Sequence, residues 1–180
     1  MSHIVVTIRA MDSALIDQAI ALLDKANADL QPELLPAPVA RRLLASYARA
    51  RRRVDFGIAA LSRKLDDAAE LARVTGTSMG TAKAVASTGT VLATSTELSA
   101  ALQHGDISLD QATVIASAEV SAPGAAAELV AVAQNESFHV LKNRARKTRL
   151  DAEQHRDLGA RQHAARGARS LSDELGMVHI

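Results

Sequence analysis

Leu71-Ala72-Arg73-Val74-Thr75-Gly76-Thr77-Ser78 is the stretch on which the fold turns. A small residue, a glycine four positions later and a serine placed to cap a new helix form the pattern of two helices joined by a tight turn. Ala72 lets the helices approach. Gly76 fits the left-handed residue that closes the first helix, and Ser78 fits the N-cap of the second. Ala82 and Val85 fall on the inner face of that second helix, which should run from about Met79 to Leu92. The spacing predicts a helix-turn-helix-like centre over residues 66–92.

Upstream, Leu43, Tyr47, Ala50, Val54, Ile58, Leu61, Leu65, Ala68 and Ala72 recur at spacings of three and four. They predict one long helix with a continuous apolar stripe, with Gly57 a candidate bend. Pro32, Pro36 and Pro38 mark a linker over residues 29–38. Residues 12–28 read as a first helix, with Asp12 at its cap and Leu15, Ala19, Leu22 and Leu23 on one face.

Downstream, Thr94-x-x-Glu97 reads as a capping box opening a short helix that Gly105 stops. Ser108-x-x-Gln111 reads as a second capping box, opening a helix to about Val120. Ser121-Ala122-Pro123-Gly124 is a break. Residues 125–134 read as helical, and Ser137 is placed to cap a basic helix through about 166. After Gly167 the pattern changes, and Met177-Val178-His179-Ile180 reads as a short strand-like end. A strand needs a partner, so the expectation is that this chain is the front part of a longer protein.

The fold class expected is all-α: a multi-helix bundle with a helix-turn-helix-like centre. Its parts are an N-terminal helix and Pro-containing linker (1–38), a helical domain (39–166) and the start of a following segment (167–180). Composition agrees. Apolar residues make up 48% and aromatics only 2%, so helices should pack closely through Ala, Leu and Val rather than form sheets.

The net charge is +1, which gives no global signature, but the charges are segregated. Residues 41–53 hold six Arg and no acid, residues 141–170 hold nine Lys or Arg against three acids, and the segment between is acidic on balance. There is no Cys, which excludes disulfides and thiolate metal sites. The apolar patch near the N-terminus is too short for a signal h-region, and no run approaches the ~20 residues of a membrane span. A membrane-surface reading of 41–53 is weakened by the lack of Trp or Phe anchors. No membrane partner and a cytoplasmic location are expected.

Catalysis finds little support. Gly76-Thr77-Ser78-Met79-Gly80 matches a nucleophile elbow by letter, but that elbow needs a strand before the Ser, and here a helix precedes it. The six His form no H-x-x-x-H pair and do not neighbour carboxylates at ligand spacing. No phosphate-loop or dinucleotide fingerprint is present. No catalytic residue, metal site or cofactor is therefore assigned to this chain.

Binding is the better expectation. By helical phase, the outer face of the second helix offers Ser78, Thr81, Lys83, Ser87 and Thr88 to double-stranded DNA. Arg51, Arg52 and Arg53, with Arg144 and Lys147, would supply phosphate contacts. The bland reading of each charge run is a solvated helix face. The alternative is a helical interaction module without nucleic acid, in which Ala-rich stripes pack a partner helix or a second copy.

The layout Ala101-Leu102, Gly105-Asp106-Ile107-Ser108, Gln111-Ala112 is locally similar to the segment after the helix-turn-helix in ParB-like partition proteins. Taken with Leu71-Ala72, Thr75-Gly76-Thr77-Ser78, Leu141 through Arg149 and Arg169-Ser170-Leu171…Gly176-Met177-Val178, the ordered set covers roughly residues 40–180. It resembles the actinobacterial domain-of-unknown-function family found N-terminal to HNH endonuclease domains, the thirteen-E-twelve repeat family. The resemblance implies a helical region, association with nucleic acid and a nuclease domain further along. The His and Asn residues of HNH chemistry would lie beyond Ile180, so no family catalytic residue carries over.

Overall fold

The structure, a computed structural model, describes residues 13–65 and 67–167, with side chains described as far as Asp157. The strand-like reading of 177–180 and the Asp12 cap lie outside the described residues. Among the described residues the chain is helical throughout, a packed multi-helix bundle as the composition implied. It divides into two compact units, Met1–Ala45 and Ser46–Ile180.

The first unit contains α1 (Ser13–Ala28), a single 3-10 turn at Pro32–Leu34, and the beginning of α2 (Ala37–Leu65). α1 buries none of its residues.

The second unit holds the rest of α2, then α3 (Ala68–Thr75), α4 (Met79–Leu92), α5 (Thr96–His104), α6 (Leu109–Ser121), α7 (Ala126–Asn135) and α8 (Phe138–Gly167). α6 is its hub and packs against α4, α5, α7 and α8. The largest fully buried side chains are Leu98, Leu102, Ile107, Ile115, Leu129 and Leu141. Small residues fill the spaces between helices, with Ala59, Ala82, Ala112, Ala118 and Ala126 all buried.

Local chemistry sets most helix ends. Gly76 is left-handed at φ 66°, where a side chain would strain the backbone, and it closes α3 with its N–H on the Ala72 carbonyl. Ser108 and Gln111 form the reciprocal capping box that opens α6. The end of α2 departs from the reading of one unbroken stripe. α2 stops at Leu65, and Asp67, in an extended conformation, opens α3 by accepting a hydrogen bond from the Ala69 N–H at 2.8 Å. The cap of α5 is Ser95 rather than Thr94. Ser95 accepts from the Leu98 N–H, while the Thr94 hydroxyl donates back to the Val91 carbonyl at the end of α4. The two hydroxyls thus serve two different helix ends. α7 has no capping side chain of its own. Its first turn is held by Glu119 of α6, whose two carboxylate oxygens accept from the Gly124 and Ala126 N–H groups at 2.7 Å each.

α2 also presents a different face to the core than the apolar stripe suggested. Ala59 and Ser62 are buried, whereas Val54 and Leu61 are 56% and 59% exposed. The cause is a close crossing. A Cβ placed on Gly89 of α4 would collide with the Ala59 carbonyl oxygen. α2 approaches through its smallest residues, so the large side chains of the stripe rotate outward. Ser62 satisfies its buried hydroxyl by donating to the Ala59 carbonyl at 2.8 Å. Among the described residues no buried side-chain polar atom lacks a partner.

Candidate nucleic-acid interface

The unit α3–turn–α4 forms as the local sequence requires. α3 packs on α4, with Leu71, Ala82 and Val85 buried between them. Ser78 caps α4, accepting from the Thr81 N–H at 3.1 Å and sharing a hydrogen bond of 2.9 Å with the Thr81 hydroxyl. Thr75 and Thr77 share a similar bond of 2.9 Å across the turn. Ser78, Thr81, Lys83 and Ser87 are all exposed; Lys83 and Ser87 lie on the side of α4 away from its buried Ala82, Val85, Thr88 and Gly89, whereas Thr81 lies in the first turn on the same side as Val85 and Thr88 and faces the cleft beside the turn. The Ser78 and Thr81 hydroxyls are engaged with each other at the cap, which leaves Lys83 and Ser87 as the groups that point outward. Thr88, expected on the outer face, is instead buried: it follows Val85 by three residues on the inner side and donates to the Thr113 hydroxyl of α6 at 3.2 Å.

Two clefts flank this helix, both walled by α2. The larger, about 470 Å³, lies beside the turn and includes Arg51, Asp55, Thr77, Thr81, Ser108 and Asp110. The smaller, about 240 Å³, gathers Arg63, Asp67, Lys83, Ser87 and Thr90. Arg63 was not singled out by the sequence. It stands in the last turn of α2, and only the crossing of α2 over α4 brings it to the same cleft as Lys83. Among the described residues no group of three His, Asp or Glu is arranged to hold a metal ion.

The three consecutive arginines part company. The Arg52 guanidinium donates to the carbonyls of Gly105 and Asp106 at 3.3 and 3.4 Å, tying α2 to the turn between α5 and α6. Arg51 is largely exposed and lies 3.9 Å from Asp55, one helical turn on. Arg53 is exposed beside Gly105. Arg144 and Lys147 belong to α8, which packs on α6 and α7, and neither lines a cleft beside α4. Arg144 lies 3.7 Å from Glu128 of α7, and its neighbour Arg149 donates to Ser117 of α6 at 3.1 Å.

Asp55 is the perturbed titrating group of the larger cleft. Burial pushes its carboxyl above the ordinary 3.8. The Arg51 guanidinium pulls the other way, and the Asp110 carboxylate adds to the rise. The folded chain therefore holds the Asp55 proton more tightly than the unfolded chain. The associated stability is complete below pH 3.8 and is lost as the pH rises through the raised folded value. Asp55→Asn is expected to be more stable than the parent at pH 7, with the gain shrinking towards pH 3.8 and below. Urea midpoints measured across that range check it. A variant less stable than the parent at pH 7 would show that the Arg51 contact outweighs the cost of burial.

No protein-family model, no curated protein and no solved structure matches this chain. The molecule is therefore described by its own architecture: an all-α bundle carrying a helix-turn-helix-like unit. Among its described residues no helix is long and apolar enough to cross a membrane.

Proposed function

We propose that this chain binds double-stranded DNA through the outer face of α4. The observation that carries the reading is the exposure of Thr81, Lys83 and Ser87 along a helix held by the Gly76 turn, with Arg63 lining the same cleft as Lys83. In this reading the first turns of α4 enter the major groove, where hydroxyls meet base edges or phosphates. Lys83 and Arg63 neutralise phosphates on one flank. Asp55 and Asp110, in the cleft on the other flank, repel the backbone and so fix the side on which it runs. Arg51 and Arg53 extend the positive rim, Arg52 acts through the turn it braces, and Arg144 and Lys147 form a separate basic surface on α8.

The finer reading is that the chain is the targeting or accessory part of an HNH-type endonuclease acting in the cytoplasm. An HNH motif encoded in frame with this chain would support that, and its absence would leave a free-standing binder. The alternative is a helical protein-interaction module, and the exposed apolar rows of α1 and α2 favour it.

Fluorescence anisotropy with labelled duplex DNA at several salt concentrations tests the binding itself. Affinity should fall steeply with salt. Changing both Lys83 and Arg63 to Glu should weaken binding about tenfold or more and reduce the salt slope by roughly 2, as expected for two lost phosphate contacts. No binding at low salt by a folded chain would sink the DNA reading and leave the interaction module.

A further inference from the structure

The seam between α4 and α6 is closed at one end and open at the other. Thr88 and Thr113 meet across it at 3.2 Å. One to two turns towards the helix starts it opens into the larger cleft, whose walls include Thr81 of α4 and Asp110 of α6. α2 supplies the opposite wall, and every lining residue belongs to the second compact unit. The apolar part of the lining is Ile58, Leu71, Val85 and Leu109, and the volume of about 470 Å³ suits a small organic molecule.

The charged groups of the cleft are unevenly satisfied. Arg52 donates to the Gly105 and Asp106 carbonyls. The Asp55 side chain is only 16% exposed, yet among the described residues its carboxylate accepts no hydrogen bond. Arg51 lies 3.9 Å from it, with a side chain that is 84% exposed. Burial outweighs that contact, and the Asp110 carboxylate opposes a second negative charge, so the Asp55 carboxyl is held above its ordinary value. Asp110 itself makes neither hydrogen bond nor ion pair among the described residues. α3, the Gly76 turn and α4 bring only the hydroxyls of Thr75, Thr77 and Thr81 to the lining, and no cation. A carboxylate so far removed from water, with its acceptor positions unfilled, gains most from a cationic donor.

We propose that this cleft binds a small aliphatic primary amine in its ammonium form, with the ammonium between Asp55 and Asp110 and the hydrocarbon part against Ile58, Leu71 and Val85. The three N–H donors of an ammonium match two carboxylates and a hydroxyl oxygen. An anion is opposed by both carboxylates. A bare metal ion has no use for the apolar lining, which instead shelters a short hydrocarbon chain from water. The site does not rest on the DNA-binding reading and holds whether or not α4 touches a duplex.

The test is a titration of the isotope-labelled full chain with isopentylamine at neutral pH, without DNA, followed by backbone amide shifts. The shifts should saturate at millimolar amine and centre on Thr77, Thr81 and Asp110. Isopentanol, which keeps the hydrocarbon and lacks the charge, should bind at least about tenfold more weakly. Methylamine, which keeps the charge and lacks most of the hydrocarbon, should also bind at least about tenfold more weakly. Asp55→Asn preserves the shape of the side chain and should lower the affinity for isopentylamine at least about tenfold, with a helical melt that shows the variant folded. Asp110→Asn, at an exposed position, should lower it by a smaller factor. The absence of saturable shifts at tens of millimolar isopentylamine overturns the proposal. So does isopentanol or methylamine binding as tightly as isopentylamine, or a folded Asp55→Asn chain that binds it as well as the parent.

Discussion

Gly89→Ala is expected to cost about 3 kcal/mol or more of unfolding free energy, and Gly89→Val to leave most of the chain unfolded at 37 °C. Gly89 is buried at the start of the last turn of α4, still within the helix, where alanine would ordinarily stabilise it by about 1 kcal/mol over glycine. Here the added Cβ meets the Ala59 carbonyl oxygen and approaches the Ser62 hydroxyl at 3.0 Å. Ser62 could rotate, at the cost of its bond to Ala59, but the Ala59 carbonyl belongs to the α2 backbone and has no rotamer to change. Relief requires α2 and α4 to separate. Overpacking of this kind typically costs 1–3 kcal/mol and more where backbone must move, so the clash outweighs the propensity gain. Both clefts beside α4 are walled by α2, and the same substitution should weaken any binding there in proportion to the folded fraction. Thermal and urea unfolding followed by circular dichroism measure the effect. A Gly89→Ala chain that melts higher than the parent would mean that propensity had won and that the helices do not cross this closely.

That crossing also marks where the sequence stopped being readable. The left-handed Gly76, the Ser78 cap and the Ser108–Gln111 box are legible because each uses residues within a few positions of one another. The apolar stripe of α2 misled because periodicity weighs the largest side chains, while the buried face was chosen by the smallest. Nothing local tells that Ala59 and Ser62 will meet Gly89 some thirty residues later. Capping of α7 by Glu119 is hidden for a related reason, since the carboxylate sits near the end of the preceding helix and reaches forward over the Pro123-Gly124 turn. In the candidate interface, the outward phase of Lys83 and Ser87 follows from α4 alone and could be read directly, whereas Thr81 and Thr88 share the face of Val85, and only the position of Thr81 in the first turn leaves it exposed. The placement of Arg63 on the same cleft as Lys83, and the diversion of Arg52 to the Gly105 turn, both depend on where α2 lies.

Ile107→Ala should cost more than removal of the neighbouring cap, with about 2–5 kcal/mol lost for the former and about 1 kcal/mol for Ser108→Ala. Ile107 lies between the left-handed Gly105 that ends α5 and the Ser108 that begins α6, and it is fully buried although it is in no helix. Counted from the Ser108 cap, Ile107 is the preceding residue and the buried Ala112 is the fourth of the helix, the two positions that staple a helix start. The cap supplies two exchanged hydrogen bonds, Ser108 N–H to Gln111 at 2.8 Å and Gln111 N–H to Ser108 at 3.2 Å. Those groups can turn to water when the serine is lost. Ile107 has no such recourse, because its side chain fills the bundle at the point where α6, the hub, enters it, and truncation leaves a void that only movement of α5 or α6 could close. A 2–5 kcal/mol loss is a large part of the 5–15 kcal/mol that holds a domain together. Urea midpoints at unchanged slope give the two values, and the double variant gives their coupling, which should be non-zero for adjacent residues acting on one helix entry. If Ser108→Ala proved the more costly, the direction of α6 would be set by its hydrogen-bonded cap, and the buried isoleucine would be filling space that the fold could do without.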